Sequence, residues 1–116
     1  MNKRTEGTRG EILAGEYLRQ QGYRILAVNF RCRYAEIDIV AAEGKYLVFV
    51  EVKQRSTPVR GLGYEAVDRR KQKRICMAAR FYLYRFHIGP TIPVRFDVVS
   101  VDRDRIRLVR NAFQYH

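Results

Sequence analysis

Glu36-Ile37-Asp38-Ile39-Val40-Ala41-Ala42-Glu43-Gly44-Lys45-Tyr46-Leu47-Val48-Phe49-Val50-Glu51-Val52-Lys53 is the stretch that decides the fold. Two apolar runs rich in β-branched residues, separated by a Gly-containing turn, predict a β-hairpin. With Glu43-Gly44 as the two-residue loop, Asp38 lies diagonally across from Glu51, and Glu36 lies directly opposite Glu51. Glu51 and Lys53 share one face because side chains alternate along a strand. Ile37, Ile39, Val48 and Val50 are expected to point one way, and Val40, Leu47 and Phe49 the other. Both faces are therefore apolar and both need cover. That predicts an α/β domain with a mixed central sheet flanked by helices on both faces. The polar exceptions Glu36, Asp38, Glu51 and Lys53 gather at one end of the hairpin, where a cleft is expected.

Carboxylates this close on an apolar sheet repel one another unless a cation lies between them. Oxygen ligands of this kind suit Mg²⁺ or Mn²⁺, with the remaining positions left to water and phosphate oxygens. Asp38 and Glu51 are the expected metal ligands, with the backbone carbonyl of Val52 as a third. Lys53 is placed to orient or deprotonate a water, or to stabilise charge growing on a phosphate. The alternative is a surface hairpin whose end carries ordinary charges, since an acidic residue two before a lysine is common. Glu36 shares the face of Asp38 as a ligand or a supporting group, and one residue of register slip would change its partners.

The remainder of the chain reads as one domain over residues 1–116, the right size for a single core. A helix is predicted from Thr8 to Gln21, stopped by Gly22, and a strand from Tyr23 to Phe30. Arg55 to Glu65, with Pro58, Gly61 and Gly63, reads as a loop beside the acidic end. Asp68 is the expected N-cap of a second helix running from Arg69 to about Phe86, ended by Gly89-Pro90. Ile75, Ala79, Tyr82 and Phe86 form its buried stripe. Strands follow over Val94–Val101 and Ile106–Val109, joined at Asp102-Arg103-Asp104, and the tail from Asn111 is unassigned.

The chain is 47% hydrophobic with a formal net charge of +11, which excludes disorder and makes a polyanion the expected partner. Nucleic acid is the first expectation and an anionic membrane surface the second; a generic basic housekeeping protein is the bland one. The densest basic run is Arg69-Arg70-Lys71-Gln72-Lys73-Arg74. At a helix start these charges oppose the macrodipole, an arrangement easier to understand if they meet phosphates. A solvated helix face is the alternative. Arg55 extends the same face past Lys53 and could grip a phosphate. Cys32 and Cys76 form no ligand cluster and fit a reducing, cytoplasmic setting. His87 and His116 form no metal constellation. Met1 to Glu6 leads into charged residues with no apolar core, so no secretory leader is expected, and no apolar run is long enough for a bilayer span.

The quoted residues also carry a family resemblance. Gly7-x-x-Gly10-Glu11-x-x-Ala14-x-x-Tyr17-Leu18, Gly22-Tyr23-Arg24-Ile25-Leu26 and Asn29-x-Arg31 resemble the opening of the YraN family of bacterial proteins. Glu36-Ile37-Asp38-Ile39-Val40-Ala41, Val48-Phe49-Val50-Glu51-Val52-Lys53-x-Arg55, Ala66-Val67-x-x-x-Lys71 and Arg95-Phe96-Asp97-Val98-Val99 continue the likeness in order. Where that family has Gly before the Glu-Ile-Asp run, this chain has Tyr34-Ala35, which spares the acidic positions. The family is similar to archaeal Holliday-junction resolvases and to the PD-(D/E)xK nucleases of restriction-endonuclease-like fold. The resemblance implies Asp38, Glu51 and Lys53 as a catalytic trio and Glu11 as a further acidic site residue. Glu11 could equally complement the dipole of its own helix. The implied activity is metal-dependent cleavage of DNA, on branched or structured forms, and cutting both strands would call for two sites, hence a homodimer. The competing classes are a nucleic-acid-binding module without cleavage and a protein-interaction domain on the same scaffold.

Overall fold

The computed structural model describes residues 9–55, 67–103 and 105–115. The described elements are α1 (Arg9–Gln20), β1 (Arg24–Arg31), β2 (Glu36–Glu43), β3 (Tyr46–Arg55), α2 (Arg69–Arg85), β4 (Val94–Asp102) and β5 (Arg105–Phe113). The strands form one mixed sheet in the order β1-β2-β3-β4-β5. Only β3 and β4 run parallel; the other neighbours are antiparallel. A parallel pair needs a crossover, and α2 is that crossover. The predicted α/β class with a mixed sheet covered on both faces holds, and the architecture is compatible with a restriction-endonuclease-like fold.

Each helix covers one face. Ala14 and Leu18 of α1 pack with Ile39, Ala41, Val48, Val50, Val99 and Val101. Ile75, Cys76, Ala78, Ala79 and Tyr82 of α2 pack with Val40, Leu47, Phe49, Phe96 and Val98. Phe86, expected in that buried stripe, is 48% exposed, although its ring lies 4.7 Å from that of Tyr82. Both helices close with the same pair of backbone bonds. Tyr23 N–H reaches Leu18 O and Gly22 N–H reaches Arg19 O; Ile88 N–H reaches Leu83 O and His87 N–H reaches Tyr84 O. Such an ending needs a residue in the left-handed region. Gly22 supplies it at φ 97, and His87, not Gly89-Pro90, supplies it at φ 56.

The hairpin differs from expectation by its turn. Glu43 pairs with Tyr46, so Gly44-Lys45 is the loop, with Gly44 at φ 57. A tight hairpin turn that takes positive φ at its first central residue favours glycine there. Continuing the register puts Asp38 directly across from Glu51 and Glu36 across from Lys53. The ladder itself stops at Ile39↔Val50. Past that point β2 leaves β3, and Asp38 Oδ2 accepts the Val52 N–H at 2.7 Å. The same departure turns Ile37 away from Ile39, so Ile37 joins the α2 side of the core rather than the α1 side.

At the turn end of the sheet, Asp97 is fully buried. Its carboxylate accepts from Tyr23 Oη (2.6 Å), Arg95 Nε and Nη2 (both 2.9 Å) and Asn111 N (2.9 Å). Arg95 also pairs with Glu43, which Arg110 grips through two bonds of 3.0 and 2.7 Å. That grip, with help from Arg95, holds the Glu43 carboxyl down at about 2. Strand β5 runs on past Val109 to Phe113 through a register shift beside Asp97, with Asn111 at φ 54. The outer strands β1 and β5 carry exposed arginines at Arg24, Arg31, Arg105, Arg107 and Arg110.

Removing one partner of a buried ion pair is strongly destabilising, on the order of 3 kcal/mol or more. Asp97→Asn is therefore expected to lower stability by about 3 kcal/mol in urea unfolding. A change of a few tenths of that size would show that the network contributes little.

Candidate metal and phosphate site

The open end of the sheet is built by four elements, α1, β2, β3 and α2. The crossover rule brings the start of α2 to the end of β3 from which the chain leaves, so Glu51 and Lys53 face the first turn of α2. Asp68 caps that helix by accepting Lys71 N–H at 2.8 Å, as expected from the sequence. The first turn of α1 approaches from the other face. Gly10 is buried there, and a Cβ at that position would lie 2.4 Å from the Gln54 side-chain oxygen, so a larger residue would have to displace that amide. Glu11 follows Gly10 into the fork between β2 and β3.

One carboxylate oxygen each from Glu11, Glu36 and Asp38 lies within 4.8 Å of the others. Glu36 also pairs with Arg31 at 3.3 Å. Asp38 and Glu51 are close enough to hydrogen-bond. Burial first, then Glu51 and more weakly Glu11, push the Asp38 carboxyl up to about 9, against the lowering effect of the Val52 N–H. Glu51 is only 6% exposed, and Lys71 Nζ lies 2.7 Å from its Oε2. Burial alone would lower Lys71, but the Glu51 carboxylate outweighs it and the net shift is upward. Lys53 shifts the other way, lowered by burial and then by the ammonium of Lys71 beside it.

A cleft of about 550 Å³ opens over this group, lined by Ala35, Glu36, Asp38 and Glu51 on one side and Asp68, Arg70, Lys71 and Arg74 on the other. The basic run of α2 thus divides: Arg70, Lys71 and Arg74 line the cleft, while Arg69 and Lys73 are exposed away from its lining. Arg55 ends β3, and its side chain, with the loop to Glu65, lies outside the described residues. So do Thr8, Asp104 and His116. The sequence expectation did not bring Lys71 to Glu51, because that contact joins two elements separated by the undescribed loop. Tyr84, at 80% exposure, and the other aromatic residues of α2 lie outside the cleft lining.

The donor set fits a hard divalent cation. Every side-chain ligand candidate is a carboxylate, and oxygen donors of that kind suit such an ion. Among the described residues, no helix is long and apolar enough to cross a membrane.

A mixed sheet covered by one helix on each face, with acidic residues and lysines converging where β2 and β3 part, defines an α/β protein compatible with a restriction-endonuclease-like fold. Residues 10–101 match the family described as Uncharacterised protein family UPF0102, and the chain belongs to it. It is 50% identical to a UPF0102 protein of Lachnoclostridium phytofermentans over 97% of this chain and 96% of the relative. The figures are 42% for one from a Janthinobacterium species, over 97% and 89%, and 42% for one from Persephonella marina, over 93% and 92%.

The Asp38 shift has a testable sign. An acid whose folded value is raised contributes stability that is full below its ordinary value of 3.8 and is lost as the pH climbs toward about 9. In EDTA, Asp38→Asn is expected to resist urea better than wild type at about pH 8, with the gap closing at about pH 5. A gap of equal size at both values would refute the assignment.

Proposed function

We propose that this protein is a metal-dependent endonuclease that hydrolyses DNA phosphodiester bonds, with branched or otherwise structured DNA as the substrate class. The observation that carries the reading is the cleft itself. Its one wall holds the carboxylates of Asp38 and Glu51, and the other holds Arg70, Lys71 and Arg74. The acidic wall is suited to a cation and the basic wall to a polyanion, and phosphodiester chemistry requires both at once.

Asp38 and Glu51, with Glu11 and the Val52 carbonyl, would hold Mg²⁺ or Mn²⁺. A divalent ion held there supplies Lewis acidity toward a phosphate oxygen and toward an attacking water. Lys53, kept less firmly protonated than a surface lysine by burial and by Lys71, is suited to orient that water or accept its proton. Arg70 and Arg74 lie one helical turn apart and would hold phosphates flanking the scissile one. They contact charge rather than base edges, so they select for backbone shape and not for sequence. Cutting both strands of a junction would use two copies of the cleft, as a homodimer provides.

Labelled linear, single-stranded, flap and four-way-junction DNA, incubated with Mg²⁺ or Mn²⁺, tests the reading directly. Wild type is expected to cut, with one shape preferred; Asp38→Ala and Lys53→Ala are expected to bind equally well and not cut. Binding without cutting by wild type in either metal would leave a nucleic-acid-binding module. The basic wall has its own signature, since each phosphate contact adds roughly −0.9 to the slope of log affinity against log salt on duplex DNA. Arg70→Ala with Arg74→Ala should therefore flatten that slope by about 2. An unchanged slope would place the DNA elsewhere on the surface.

A further inference from the structure

Lys71 answers the charge of Glu51 from across the cleft. Its backbone is fixed by the Asp68 cap, and its side chain reaches from the first turn of α2 to the end of β3, where Nζ lies 2.7 Å from Glu51 Oε2. That oxygen is sealed from solvent, and no donor meets it with hydrogen-bonding geometry. The Lys71 ammonium is the cation that meets it. At the same place Asp38 contacts Glu51, and Lys53 crowds Lys71. We propose that Lys71 is a positioning residue that serves as the site's own counter-cation, holding Glu51 in place until a divalent ion takes it over.

The reasoning is one of competition. An ion held jointly by Asp38 and Glu51 would compete with Nζ for the Glu51 carboxylate. Two positive centres in van der Waals contact repel strongly in a partly dehydrated cleft, so the ammonium must withdraw as the ion enters. The side chain is 43% exposed, which leaves it room to swing. Arg70 and Arg74 lie on the same wall, so the released ammonium turns toward a surface suited to phosphate. Metal and polyanion then favour one another's binding, because each relieves the charge the other leaves behind, and such coupling is reciprocal. Lys71 thereby keeps Glu51 oriented in the absence of metal and sets how readily the site loads.

This inference rests on the reading of the acidic wall as a metal site, and its test separates the two. Mn²⁺ affinity is measured at about pH 8 by the electron-spin signal of the free ion, for wild type, Lys71→Met, Lys71→Arg and Glu51→Gln. No nucleic acid is present, and circular dichroism monitors folding. Lys71→Met is expected to bind Mn²⁺ about tenfold more tightly than wild type, within the usual range of coupling between sites. Lys71→Arg, which keeps a cation at Glu51, should stay near wild type, and Glu51→Gln should lose the site. Merely structural damage would weaken binding, so the direction of change discriminates. Equal or weaker binding by a folded Lys71→Met overturns the counter-cation role while leaving the metal reading intact. Absence of Mn²⁺ binding in wild type and Lys71→Met alike overturns both.

Discussion

Asp97 places a carboxylate inside a sheet that has no water to solvate it, and the surrounding structure is arranged to meet that demand. An unpaired charge there would cost several kcal/mol. Four donors converge on it, from the segment after α1, from β4 and from β5. Arg95 then carries the connection to Glu43 at the end of β2, and Arg110 joins from β5. Tyr23 is the link to α1, because the helix's closing turn delivers its hydroxyl to the carboxylate. Four segments of the chain are thereby fixed at one end of the sheet. With that end tied, the two strands at the other end can part without unravelling the whole.

The parting of β2 and β3 gives the cleft its character. Asp38 sits in the fork and restores one lost ladder bond by taking the Val52 N–H. Because it lies between two faces, it is within reach of Glu11 on α1 from one side and near Glu51 and the α2 wall on the other. Both helices begin at this end, so their N-terminal partial positive charges point toward it. For α2 that polarity follows from topology: a helix linking parallel strands must start where the first strand finishes.

Much of this was legible in the sequence because it is local. Period-two apolar runs gave the strands, Gly22 and Asp68 marked a helix stop and a helix start, and two apolar faces demanded two covering helices. The gathering of Glu36, Asp38 and Glu51 at one end of the hairpin was legible for the same reason. The turn was misplaced by one residue because Glu43-Gly44 and Gly44-Lys45 both offer a glycine, and only the pairing of Glu43 with Tyr46 separates them. Ile37 was assigned to the wrong face because strict alternation fails where a strand leaves its partner. The end of α2 fell at Phe86 as expected, but the stop was credited to Gly89-Pro90 because histidine seldom adopts the left-handed conformation that His87 takes. Asp97 with Tyr23, Arg95 with Glu43, and Lys71 with Glu51 are encounters between distant segments, and no periodicity encodes them.

The arginines on β1 and β5 have a further effect. An open sheet ends in two rows of unpaired backbone groups, each a template for another copy's edge strand. Here both rows carry guanidinium groups of one sign, within a chain of net charge +11. Two such edges repel each other before their backbones can meet. The excess charge that draws in a polyanion is therefore also a colloidal barrier against sheet-to-sheet polymerisation. Screening acts on both effects together, so concentrated salt would loosen the hold on the polyanion and bring the edges within reach of one another.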